Sequence, residues 1–157
     1  MGVSRIVMGQ SLSKVYVHIT FSTKKHYPFI DDSIENALFE YIGGICKNLN
    51  CNPIRVGGFK DHIHVLCLLS KQITQIKLLE EIKKCSSKWI KNMGSAYSNF
   101  YWQDGYGIFS VNPSQLNTVS EYIKSQRSHH AKHSFKDELR MFLRKYNIDF
   151  NERYIWD

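Results

Sequence analysis

Cysteine is scarce in this chain and follows no metal-binding pattern. Its four thiols, Cys46, Cys51, Cys67 and Cys85, include no Cys-x-x-Cys pair. Several fall on faces that read as apolar, so buried thiols are expected rather than a zinc cluster or a disulfide framework. Long apolar runs are missing as well. None approaches the roughly 20 residues needed to span a bilayer. The opening Met1-Gly2-Val3-Ser4-Arg5-Ile6 has no extended signal-peptide core, and position 6 is not the Ser or Thr of a myristoylation signal. A cytoplasmic protein without a membrane partner is expected. No Gly-x-x-x-x-Gly-Lys-Ser/Thr loop is present, which argues against a nucleotide cofactor. Low-complexity linkers and internal repeats are also absent, so nothing in the composition marks a second domain.

What is present is a moderately apolar, strongly basic chain. At 157 residues and 43% hydrophobic it fits one globular domain with a sizeable core. The formal charge of +7 favours a polyanion, either nucleic acid or an anionic membrane surface. Between Thr74 and Met93, Leu78, Ile82, Cys85 and Trp89 recur at helical spacing, with Lys77, Lys84, Lys88 and Lys91 on a neighbouring stripe. Taken alone, that stripe fits a solvated helix face as well as a DNA-binding groove.

The pattern along the chain predicts a strand at Val15–Phe21, where Val15, Val17, Ile19 and Phe21 alternate with polar partners, the sign of one buried face. A helix over about Ser33–Leu49 follows, with Asp31, Asp32 or Ser33 as its cap. Then come a short strand at about Pro53–Gly57, a strand within Asp61–Leu69, the lysine-bearing helix, and a strand near Gly107–Val111. Gly57-Gly58 is read as punctuation between strands. The βαββαβ order is that of a ferredoxin-like α+β unit with an antiparallel sheet. Two more helices are expected, one running from Ser114 or Gln115 to about His130 and one at Phe135–Tyr146.

Two short motifs carry the chemistry. In Asp61-His62-Ile63-His64-Val65-Leu66 the β-branched composition suggests a strand, on which alternate side chains share a face, so His62 and His64 form a two-imidazole site. In Thr118-Val119-Ser120-Glu121-Tyr122-Ile123-Lys124-Ser125-Gln126 the pattern is helical, and residues four apart are neighbours, so the Tyr122 phenol lies beside the Gln126 amide. A phenol of ordinary pKa, about 10, is a poor nucleophile at neutral pH without a positive centre or a base. Two imidazoles and an amide oxygen are neutral donors that leave a bound cation's charge for a phosphate. Imidazoles by themselves admit zinc, whereas oxygen donors and a phosphate favour magnesium or manganese. His129 and His130, three and four residues past Gln126, are open as ligands, phosphate contacts or surface groups, with phosphate contact or surface favoured. His18 reads as structural unless its strand adjoins the His pair. Asp61 reads as a turn residue, with orientation of an imidazole as the alternative role.

Together these segments resemble the single-tyrosine HUH transposases of minimal bacterial insertion sequences, the insertion-sequence-200-like family, in which U is a hydrophobic residue between two metal-binding histidines. Val17-His18-Ile19-Thr20-Phe21-Ser22-Thr23-Lys24 looks like the family's first strand, Ser86-Ser87-Lys88-Trp89-Ile90 like its second helix, and Trp102 to Val111 like the strand before its catalytic helix. Tyr122-Ile123-x-x-Gln126-x-x-His129-His130 completes the series. The likeness implies a single transposase domain over residues 13–157 behind a leader at 1–12. It implies Tyr122 as the nucleophile, His62, His64 and Gln126 as ligands to Mg2+ or Mn2+, and a 5′-phosphotyrosine intermediate on single-stranded DNA near hairpins at element ends. It also implies a homodimer in which one subunit's tyrosine helix can serve the other's histidines. Lys77, Lys84, Lys88, Lys91, His129 and His130 would contact the DNA. The competing readings are a non-catalytic nucleic-acid-binding module of the same fold, and a replication initiator or relaxase of the HUH type.

Overall fold

A computed structural model describes residues 9–130 and 132–156, so the first eight positions of the expected leader lie outside the described residues. Four strands form one antiparallel sheet: β1 (Tyr16–Ser22), β2 (Pro53–Phe59), β3 (His62–Leu68) and β4 (Gly107–Val111), in the order β2-β3-β1-β4. Helix α1 (Glu35–Asn48) connects β1 to β2, and α2 (Gln75–Lys91) connects β3 to β4. That is the ferredoxin-like arrangement. Three helices extend it: α3 (Leu116–Lys124), α4 (Gln126–His129) and α5 (Phe135–Lys145). Among the described residues no helix is long and apolar enough to cross a membrane. All four cysteines are free thiols, three buried and Cys85 partly so.

One sheet face carries Val17, Ile19, Phe21, Ile63, Val65 and Cys67 and packs on α1 and α2 through Leu38, Ile42, Leu78 and Ile82. The opposite face was expected to meet solvent. Instead His18, Thr20 and Ser22 on β1 and His62 and His64 on β3 are all buried, while Val15, placed inside by the alternation, is 45% exposed. The C-terminal helices are the reason. Phe109 packs on Phe135, Leu139, Phe142 and Leu143 of α5, and Leu66 and Val111 pack on Ile123 of α3. A strand covered on both faces can bury a polar row only where those groups find hydrogen-bond partners, and here His18 bonds His64, Thr20 and Ser22 donate to backbone carbonyls, and His62 bonds Asp61 and Gln126.

Three local expectations need correction. Helix α1 begins without a side-chain cap at Ile34. The Asp31 carboxylate accepts instead from the Ser33 N–H and from the Tyr97 hydroxyl. The helix expected to run unbroken to His130 tightens at Ser125, whose φ/ψ of −94°/21° separates α3 from α4. Gly57 and Gly58 lie within β2 rather than at its end. A Cβ on Gly57 would sit 2.8 Å from Ile123 Cγ2 and 3.0 Å from the Ile123 carbonyl oxygen, so the bare backbone lets α3, with Tyr122, approach the sheet edge. Gly57→Ala should therefore destabilise the fold by about 1–3 kcal/mol through overpacking. Urea unfolding measures this directly, and a loss below about 0.5 kcal/mol would mean that α3 shifts freely.

Candidate active site

Strand β3 presents His62 and His64 side by side because alternate residues share a face, and both rings are fully buried. Their back nitrogens are held from behind. The Nδ1 of His64 lies 2.8 Å from Nε2 of His18, which reaches diagonally from the paired strand β1. The Nδ1 of His62 lies 2.8 Å from Oδ1 of Asp61. This is the usual way of fixing the tautomer and ring orientation of ligating imidazoles. Both Nε2 atoms then face the helical layer.

Groups from three helices converge on them. Gln126 Oε1 lies 2.9 Å from His62 Nε2 and 2.8 Å from His130 Nε2. Glu138 Oε1 lies 2.7 Å from His64 Nε2 and 3.8 Å from His62 Nε2. The Tyr122 hydroxyl donates to Glu138 Oε2, which also receives Gln126 Nε2 at 3.3 Å and faces His130 Nε2 at 3.3 Å. His62, His64 and Glu138 offer ligand atoms that all lie within 4.8 Å of one another.

The donor chemistry fits a cation. With the Asp61 carboxylate accepting the Nδ1 hydrogen, a singly protonated His62 ring aims an Nε2 lone pair at Gln126 Oε1, itself an acceptor. The amide cannot turn over without facing its oxygen to Glu138 Oε2. Two lone pairs 2.9 Å apart in a buried site repel unless a positive centre, a proton on Nε2 or a bound metal ion, lies between them or beside them. Burial, and the neighbouring His64, push the His18 pKa down to about 3, and burial lowers that of His64 as well. These imidazoles are therefore neutral and able to ligate. Burial by itself would raise the Glu138 pKa, but the facing His64 and the hydrogen bonds from His130 and His64 hold it well below the carboxylate range. The carboxylate is the charged member of that cluster. Burial, and the same carboxylate, push the Tyr122 phenol above its ordinary value.

The acid side of the stability curve follows from these directions. Below pH 6.5 the unfolded chain protonates the His18 imidazole while the fold resists down to about pH 3, so stability falls as pH falls across that window. The depressed Glu138 carboxylate acts in the same direction at lower pH. Unfolding free energy should drop by about 1.4 kcal/mol per pH unit for each such proton. Urea titrations from pH 7.5 to 4.5 check this, and His18→Asn, which keeps a hydrogen-bonding side chain but cannot titrate, should flatten the slope. An unchanged slope in that variant would remove His18 from the account.

Of the residues singled out from sequence, Tyr122, His62, His64, Gln126 and His130 meet in one cluster. His130 is not on the surface: its side chain is 5% exposed, stacked on Phe59 and bonded to Gln126. His129 packs its ring 4.7 Å from that of Tyr122 and lines an open cavity of about 240 Å³ with His133, Asp137, Glu138 and Met141. The lysines are elsewhere. Helix α2 covers the other sheet face, Lys77 and Lys84 pair with Glu81, and Lys91 lies 4.0 Å over the Tyr101 ring. Lys88 is exposed on the same helix. His18 adjoins the pair and Asp61 holds His62, so both bond to the paired imidazoles. Glu138 went unnoticed in the sequence. Its signal was a lone carboxylate on the apolar stripe of α5, three residues after Phe135 and four before Phe142.

Residues 11–126 match the family model described as Transposase IS200 like. Among solved structures, the chain is similar to a candidate transposase from Deinococcus radiodurans R1, at 16% identity and a TM-score of 0.60, covering 77% of this chain and 98% of that one. It is also similar to a REP-associated tyrosine transposase bound to a REP hairpin, at 14% identity and a TM-score of 0.57, covering 78% of this chain and 73% of that one. At such identities the likeness shows the fold. No curated protein matches the chain.

Proposed function

The chain belongs to the IS200-like transposase family, and on that premise we propose that it cleaves and rejoins single-stranded DNA through Tyr122, with His62, His64 and Gln126 holding a divalent cation. One observation carries the reading. Residues from β3, α3 and α4, some sixty positions apart, bring a phenol, two imidazoles and an amide oxygen into one buried cluster bordered by an open cavity.

The Tyr122 oxygen attacks the phosphorus of a DNA phosphodiester. A phosphorus–tyrosine oxygen bond forms as the bond to the 3′ oxygen breaks. The leaving oxygen keeps the electron pair and takes up a proton as a 3′-hydroxyl, and the 5′-phosphate stays on the protein. The phenol proton is already directed at Glu138 Oε2. Bound Mg2+ or Mn2+ supplies positive charge to the phosphate and to the departing oxygen. Asp61 and His18 hold the back nitrogens of His62 and His64, so that on ion binding both Nε2 atoms would give up any hydrogen shared with Gln126 or Glu138 and present lone pairs beside the Gln126 oxygen. Attack by a 3′-hydroxyl on the phosphotyrosine reverses the first step, and because the ester conserves the bond energy no nucleotide is needed.

DNA hairpins near element ends as substrates, and a homodimer, belong to the same proposal. So does DNA contact by His129 at the cavity rim and by the lysines of α2, which would have to engage a strand that passes to the far side of the sheet. Within one chain Tyr122 stands next to its own His62 and His64, which supports a site assembled in cis even in a dimer. The single domain over residues 13–157 is supported by the way α5 closes over the sheet. A labelled single-stranded hairpin substrate, incubated with the protein and Mn2+ and resolved on a denaturing gel, tests the reading. A covalent adduct is expected, and tight binding without one would assign the chain to the non-catalytic nucleic-acid-binding class.

A further inference from the structure

The carboxylate at the centre of the cluster comes from α5, beyond the segment 11–126 that the family model matches. Resting on the reading that His62, His64 and Gln126 hold a divalent cation, we propose that Glu138 is a further ligand through Oε1. Its Oε2 at the same time holds the Tyr122 hydroxyl, so a single side chain sets the separation of nucleophile and cation.

Three observations support this. The first is charge. Glu138 is buried among Phe135, Leu139 and Phe142, where an ionised group is costly unless it is paired. Its ion-pair neighbours among the described residues are His62, His64 and His130, with no lysine or arginine. Imidazoles provide hydrogen bonds but no permanent positive charge, which a divalent cation would provide. The second is spacing. Neighbouring donors around an octahedral ion with bonds of about 2.1 Å stand about 3 Å apart. His64 Nε2 and Glu138 Oε1 are 2.7 Å apart, and His62 Nε2 and Gln126 Oε1 are 2.9 Å apart. The third is the division of labour between the two oxygens. Oε1 faces the two β3 imidazoles, whereas Oε2 faces the Tyr122 hydroxyl, the Gln126 amide and His130. A ligand of this kind also adds a hard, charged oxygen to an otherwise neutral set, which favours Mg2+ or Mn2+ over zinc.

The test is Mn2+ binding to the full chain without DNA, followed by the electron paramagnetic resonance of free Mn2+. Glu138→Gln should weaken binding by about tenfold or more, as His64→Ala does, because a charged donor is lost. Glu40→Gln, an equal charge change on the exposed side of α1, should leave the affinity unchanged. The visible spectrum of bound Co2+ supplies a second measure, since a role confined to packing would not alter it. If His64→Ala loses Mn2+ while Glu138→Gln binds it as the wild type does, with the wild-type Co2+ spectrum, the proposal is overturned and the three-donor reading stands. If the wild type itself binds no Mn2+, both are overturned. Should the glutamine variant fail to fold, Glu138→Asp keeps the charge but shortens the reach by one methylene. Weaker Mn2+ binding and a shifted Co2+ spectrum would support the proposal, and wild-type values in both would overturn it.

Discussion

Tyr122→Phe should reduce covalent protein–DNA adducts by on the order of 10⁴-fold or more, the scale on which nucleophile removal acts, while DNA binding stays near the wild-type level. The substitution removes one hydroxyl and keeps the ring, which packs against His18, His64, His129 and Phe142. Glu138 loses one donor but keeps His64, Gln126 and His130, so the buried carboxylate is not left unsatisfied. A stability cost of about 1 kcal/mol, the net worth of one hydrogen bond, is expected and is too small to unfold the chain. Labelled single-stranded DNA on a denaturing gel decides it. Adducts at the normal rate would move the nucleophile to another residue, and no other tyrosine hydroxyl is bonded to this cluster among the described residues.

How much of this was legible beforehand differed from residue to residue. The His62/His64 pair could be read because strand alternation is a local rule, and Tyr122/Gln126 because four-residue spacing survives even the tightening at Ser125. The sheet order also follows from the βαββαβ succession. What escaped depends on which elements meet across the sheet. The alternation of β1 correctly marked Val17, Ile19 and Phe21 as core, but it could not say that α3 and α5 would cover the other face and convert His18 from filler into the partner of His64. Glu138 is separated from His64 by 74 positions, and nothing short-range in Asp137-Glu138-Leu139 links it to a histidine strand. The lysine stripe on α2 carries Lys77 and Lys84 paired with Glu81 and an exposed Lys88. Its distance from the site is a matter of topology, because α2 is the crossover on the first sheet face while the tyrosine helix returns on the second.

Chelation of the wild type should abolish cleavage as completely as His62→Ala or His64→Ala, and all three should spare DNA binding by comparison. The argument runs through the donor set. On the proposed reading the cation is held by Nε2 atoms whose rings Asp61 and His18 orient from behind, and removing either imidazole would leave the ion too weakly held to position a phosphate. The two variants should differ in stability. His64→Ala leaves the buried His18 without its partner and takes one of several partners from the buried Glu138, whereas His62→Ala strands only the partly exposed Asp61 and an amide that retains His130. A cost of about 1–3 kcal/mol, the scale for an unsatisfied buried group, is expected for each, with His64→Ala at the upper end because the His18 it strands is buried. His62→Ala is therefore the cleaner test of chemistry, with cleavage and filter binding compared on the same hairpin substrate in Mn2+. If the thoroughly chelated wild type cleaves at its full rate, the convergence of lone pairs on β3 is structural, and the positive charge that Tyr122 needs must come from the protein itself.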